Sequence, residues 1–264
     1  MQKVPIGVAN SVSANFNFDP LDTLEFATQK QFETAQIYLN ENLIRDIPLL
    51  EKIKQFEAKF QRVYFHAHGF LSPEAFRSPY FQQLHQFLTT TTYPNYIIHF
   101  DETIPVDQLI QTLEHHPPRP IRIYLENYFS RSGKENVQKN LKKYMAIFTL
   151  LTGRRNYLFP VLDIPRLFHR DCGFTLQEAR NWCFQLLNFF SQKGYAILLH
   201  LVDFADDSQQ HHQFRALGEG YIPYEQIFAF IQKTRPLLEG IILEYQDKLN
   251  TLKSADFIRQ YFQE

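Results

Sequence analysis

Eight short apolar runs, each followed by a longer stretch with helical spacing, constrain this chain more than any other feature. The runs are IGVAN (6–10), AQIYLN (35–40), RVYFHAH (62–68), NYIIHF (95–100), IRIYLEN (121–127), LFPVLD (158–163), AILLHLVD (196–203) and GIILEY (240–245). They are too brief for long helices, and their β-branched and aromatic content favours strands. The stretches between them predict helices at about 20–33, 47–59, 77–90, 105–115, 134–152, 175–193, 222–234 and 249–262. Several carry start or stop signals. Thr175 with Glu178 reads as a capping box, and Ser78 before Pro79 as a cap with proline in the first turn. Gly194 and Gly153 stand where a left-handed residue closes a helix.

Strict alternation of eight strands with eight helices predicts a closed parallel (β/α)8 TIM barrel of the α/β class. An open doubly wound sheet normally shows a glycine-rich phosphate turn after its first strand. The segment here, ANSVSANFNFDP (9–20), has no such pattern. Nor does any Gly/Ser linker, charge block or low-complexity tract divide the chain, so residues 1–264 read as one domain.

Composition narrows the class further. Among 264 residues, 44% are hydrophobic and 21% charged, as in an ordinary globular chain. The formal net charge of −1 argues against a general nucleic-acid binder, which would rest on a basic surface. Two cysteines, Cys172 and Cys183, are too few for a disulfide framework or a thiolate cage. No run approaches the roughly 20 apolar residues that span a bilayer, and MQKVPIGVAN lacks the apolar core of a signal peptide. The expectation is a cytoplasmic enzyme without a membrane partner.

Polar residues fall at the ends of these runs. In a barrel, the C-terminal strand ends carry the reacting groups. The third strand ends in His66 and His68, the fourth in His99, the fifth in Glu126, the sixth in Asp163, the seventh in His200 and Asp203, and the eighth in Glu244. A glutamate closing an apolar strand needs a partner, because a bare buried carboxylate is strongly disfavoured. A shared cation would supply one. Three carboxylates and an imidazole suit Mn²⁺, Zn²⁺, Mg²⁺ or Co²⁺. Taken singly, each residue has a plainer reading: a hydrogen-bonded core histidine, a turn-starting aspartate at Asp163, a loop cap at Asp203, a solvated pair at His211 and His212. Their joint placement on one rim is what the plainer readings do not predict.

LEN (125–127), VLD (161–163), HLVD (200–203) with ALGEGYIPY (216–224), and ILEY (242–245) together resemble the xylose isomerase-like TIM-barrel superfamily of sugar isomerases, epimerases and endonuclease IV-type repair enzymes. The resemblance implies one divalent ion held by Glu126, Asp163, His200 and Glu244. It implies a proton moved beside a carbonyl by Glu126 and Glu244, and a sugar or sugar phosphate as substrate. His66, His99, Arg166 and Arg215 become the substrate-binding candidates, with His68, Asp203 and His212 as further members of the rim.

The sequence departs from the family in two places. Asp163 is followed by Ile-Pro-Arg, so Arg166 stands where a histidine is expected. His212 and Phe214 replace an Asp-x-His before the LGEG. A phenylalanine cannot ligate a metal, and this argues against a three-metal phosphodiester centre, although His66 (or His68) and His99 match its first-metal histidines. Arg166 either grips an anionic substrate in a two-pronged fashion or pairs with Asp163 or Glu126. Three functions thus stay open: a sugar isomerase or epimerase, an endonuclease-like hydrolase, and an altered barrel that binds a metabolite.

Overall fold

The computed structural model describes residues 3–115, 121–129, 132–154, 156–206 and 213–262. Eight parallel strands close into a barrel: β1 (Ile6–Ala9), β2 (Thr34–Leu39), β3 (Arg62–Leu71), β4 (Asn95–Phe100), β5 (Arg122–Glu126), β6 (Leu158–Asp163), β7 (Ile197–Leu201) and β10 (Leu238–Leu243). They follow one another round the ring in chain order, with β10 returning to β1. The helices outside are α1 (Pro20–Gln29), α2 (Ile47–Glu57), α3 (Pro73–Arg77), α4 (Pro79–Leu88), α5 (Val106–His115), α6 (Lys134–Leu150), α7 (Leu176–Lys193), α8 (Tyr224–Thr234) and α9 (Lys248–Phe262). The expected 77–90 helix begins earlier and is broken in two, because Ser78 turns extended and caps α4 through Phe81 N–H. Two residues of β8 (Asp203–Phe204) pair antiparallel with β9 (Phe214–Arg215) above the barrel.

Thr175 and Glu178 form the capping box in full, and Gly194 closes α7 at φ 71°. Gly153 does not close α6. Leu151 takes that place without a left-handed turn, and Gly153 lies in a short 3-10 turn, Thr152–Arg154.

Side-chain period two sorts each strand into an outer and an inner set. Ile123 and Leu125 of β5 join the large apolar layer under the helices. Tyr64, Ile97, Tyr124, Val161, Leu198 and Ile242 instead pack inside the barrel. Two residues beyond each of these stands His66, His99, Glu126, Asp163, His200 or Glu244. The interior therefore rises from an apolar plug to a polar layer at the C-terminal mouth, in six adjacent strands. Gly7 is needed lower down: a Cβ there would lie 2.1 Å from Thr34 Oγ1 and 2.8 Å from the Thr34 carbonyl oxygen.

Candidate active site

Register brings the polar layer together. His99 sits directly opposite Glu126 between β4 and β5, and Asp163 opposite His200 between β6 and β7. Asn127 fixes the join of β5 to β6, accepting from Asp163 N–H at 2.8 Å and donating to the Asp163 carbonyl at 3.2 Å. Beneath them, the Tyr144 hydroxyl of α6 bridges the carbonyl oxygens of Leu125 and Val161. The site is thus held on backbone that is pinned from two sides.

Glu126 is the hub. It is 1% exposed. Around its carboxylate lie His66 Nε2 at 3.2 Å, His200 Nδ1 at 3.4 Å, His99 Nε2 at 3.5 Å and Arg166 Nη2 at 3.5 Å. Burial pushes its pKa up, but the charges of His99 and His200 outweigh that and hold it well below the usual carboxylate range. His200 is 0% exposed. Burial works against its imidazolium, yet Glu244 at 3.2 Å and Glu126 hold its pKa up, to about 9. Burial lowers the pKa of His99, against the pull of Glu126.

His66 and His200 show why this cluster suits a cation. The Ala67 carbonyl can only accept, so His66 Nδ1 carries the proton that it donates there over 3.0 Å. In the neutral ring, Nε2 then turns a lone pair toward the Glu126 carboxylate, an arrangement that needs a proton or metal between them. In the fully buried His200, Nε2 makes no hydrogen bond, and Nδ1 lies at ion-pair distance from Glu244 and Glu126 without meeting either carboxylate in hydrogen-bonding geometry. Among the described residues, His66, His99 and Glu126 are the group whose ligand atoms all lie within 4.8 Å of one another. Two imidazoles and a carboxylate are a donor set for Zn²⁺, Mn²⁺ or Co²⁺.

Glu126, Asp163, His200 and Glu244 share the rim but do not form that closest group. Asp163 is engaged elsewhere. Its Oδ2 lies 2.7 Å from Arg166 Nε, and its Oδ1 accepts from Arg166 N–H at 3.3 Å. Burial raises the Asp163 carboxyl, to about 6, against the opposing pull of Arg166. The guanidinium stacks 4.6 Å from the Tyr128 ring centroid and spans Asp163 and Glu126. A divalent ion about 4 Å from a guanidinium, at an effective dielectric of about 20, would meet repulsion of roughly 8 kcal/mol.

The remaining candidates divide clearly. A bulge between His66 and Phe70 carries His68 off the inner face, so it is exposed and contacts the Tyr38 hydroxyl. Asp203 is buried and points into its own loop, where it accepts from the backbone N–H groups of Phe204, Gly218, Gly220 and Ile222. Its loop-cap reading holds. Arg215 is exposed on β9 and bonds the Phe214 carbonyl. His212 lies outside the described residues.

Sequence reasoning missed Gln36, whose Nε2 donates to Glu244 Oε1 at 2.8 Å. An amide in the middle of the apolar run AQIYLN was the available signal. It also missed His169, which lines a cavity of about 500 Å³ together with Asp163, Arg166, Phe129, Phe204 and Glu244. A second cavity, about 790 Å³, opens on the β1–β2 side past Phe16, Phe18, Tyr38, His66, His99 and Glu244. Glu244 borders both.

No family model and no curated protein sequence matches the chain. Solved structures do. An IolI protein with a bound zinc atom aligns with a TM-score of 0.69 at 12% identity, covering 98% of this chain and 100% of the other. A D-allulose 3-epimerase from Methylomonas sp., in complex with D-allulose, aligns at 0.60 and 12%, covering 99% and 98%. A family 2 AP endonuclease from Brucella melitensis aligns at 0.59 and 12%, covering 98% and 99%. These structures share with this chain the closed eight-stranded TIM-barrel fold. At these identities the likeness is one of fold. No helix among the described residues is long and apolar enough to cross a membrane.

Proposed function

We propose that this barrel is a divalent-metal-dependent isomerase or epimerase of a sugar or sugar phosphate, moving a proton next to a carbonyl. One observation supports the reading above others: Glu126, buried among three imidazoles, shares one of them, His200, with a second glutamate, Glu244, that opens onto both cavities. When bound, a divalent ion would polarise the substrate carbonyl and stabilise negative charge on its oxygen. His66, His99 and Glu126 would hold it, with His200 alongside.

The two glutamates take different parts. The side chain of Glu244 is 26% exposed, with Gln36 on one oxygen, so it is the group placed to take and return a proton at carbon. Glu126 lines neither cavity and acts as ligand and as the anchor of the imidazoles. The aromatic walls Phe16, Phe18 and Tyr38, with Asn10 and Asn40, suit a polyol that stacks a ring face and hydrogen-bonds its hydroxyls. An epimerase of the same fold, solved with D-allulose, supports that substrate class.

The test is proton exchange. Protein loaded with Mn²⁺, Zn²⁺, Mg²⁺ or Co²⁺ is mixed with a panel of ketoses, aldoses and their phosphates in D₂O. Deuterium should appear at the carbon beside the carbonyl, and Glu244→Gln should stop it. Absence of exchange across the panel with every metal removes the reading. A second reading, metal-dependent phosphodiester hydrolysis, is favoured by the His66–His99–Glu126 group and by the endonuclease of the same fold. Cleavage of an abasic-site duplex by the metal-loaded protein would establish it instead.

A further inference from the structure

We infer that Arg166 is the resident cation of the Asp163 half of this site, so that Asp163 is not a metal ligand and any bound ion lies on the His66–His99–Glu126 side. The inference concerns where charge sits, and it stands whichever reaction the barrel performs.

Three observations carry it. The guanidinium lies against both carboxylates that an ion in this half would share, at 2.7 Å from Asp163 and 3.5 Å from Glu126. Its position is fixed by local structure, since Pro165–Phe168 forms a 3-10 turn directly after β6 and Asp163 accepts the Arg166 N–H. That turn is held in its own right by Cys172, whose thiol donates to the Arg166 carbonyl at 3.1 Å. Finally, the guanidinium carbon lies over the Tyr128 ring, 4.6 Å from its centroid. A side chain held by a tight turn, two carboxylates and an aromatic face does not swing aside cheaply for an ion.

This placement also bears on substrate charge. Two of the guanidinium nitrogens already lie within ion-pair distance of carboxylates. With Glu244 also on the cavity wall, the positive charge of Arg166 is largely matched before any ligand arrives. It therefore serves as a fixed counter-charge lying against Asp163 and Glu126, and not as a free grip for a phosphate.

Metal stoichiometry tests the inference without reference to turnover. Purified wild-type protein, R166K, R166M, D163N and the R166M/D163N double variant are titrated with Zn²⁺ and with Mn²⁺ by calorimetry, and bound metal is counted by elemental analysis. Wild type and R166K should bind alike. R166M should gain one ion per chain, and the double variant should lose that gain. D163N should leave wild-type metal affinity within about threefold, whereas Glu126→Gln should weaken it by a hundredfold or more. If R166M does not fold, the D163N comparison decides alone. A tenfold or greater loss of affinity in D163N, or a folded R166M with no added ion, overturns the inference.

Discussion

Gln36 donates its Nε2 to Glu244 Oε1 over 2.8 Å, although 208 residues separate the two in sequence. Barrel closure makes the contact, since β2 and the end of β10 are separated only by β1. The bond fixes one carboxylate oxygen of a residue that borders both cavities. Replacing Gln36 by Met should therefore disturb the reaction more than the fold. We expect kcat for proton exchange to fall by about 10- to 100-fold, the range usual for outer-shell partners. KM and the melting temperature should change little. Steady-state exchange kinetics with a melting curve checks both parts.

Glu126→Gln removes the charge on which three imidazoles and Arg166 converge. Exchange should fall by about 10³-fold, in the range attributed to general acid–base and ligand groups. The amide keeps the volume and leaves one acceptor, so the cost in stability should be about 1–3 kcal/mol, and far-ultraviolet circular dichroism should match wild type. Normal turnover by a folded variant would show that Glu126 is neither ligand nor anchor.

Glu57, at the end of α2, is buried with one oxygen accepting from Thr92 N–H and Oε1 without a hydrogen bond. Burial raises its pKa above the ordinary carboxylate value. An acid whose folded pKa is raised binds its proton more tightly when folded, so its ionised form opposes folding. This penalty is fully present above the folded pKa and disappears as pH falls toward the unfolded value. Glu57→Gln should stabilise the protein by about 1 kcal/mol at neutral pH. Melting curves from pH 8 down to pH 4.5 should show the two proteins converging. A gain for the variant that is equal at every pH would rule out ionisation as its cause.

Asp203 gathers four backbone N–H groups of the loop that follows β7. Asp203→Ala strands buried donors and should cost about 3 kcal/mol. Hydrogen exchange should speed up at Gly218, Gly220 and Ile222 while the barrel strands keep their protection. Gly220→Ala should have a similar effect by another route, because its Cβ would lie 2.3 Å from Asp203 Oδ1. Unchanged exchange in both variants would mean that the carboxylate is not what orders the loop.

The sequence alone determined the barrel and the layer in which the candidate site sits. Strand period two and the alternation of runs with helices are local properties, so reading Glu126 and His200 at the C-terminal ends of their strands already put them at one mouth. Thr175, Ser78 and Gly194 were legible for the same reason, since a cap depends on residues within one turn. Tertiary structure decided which of those rim groups meet. The bulge after His66 removed His68 from the interior, ring closure brought Gln36 to Glu244, and the turn at Pro165 folded Arg166 back onto Asp163 and Glu126. Those contacts depend on radial distances across the barrel and on the direction a side chain takes after a turn, and neither quantity is encoded in spacing along the chain.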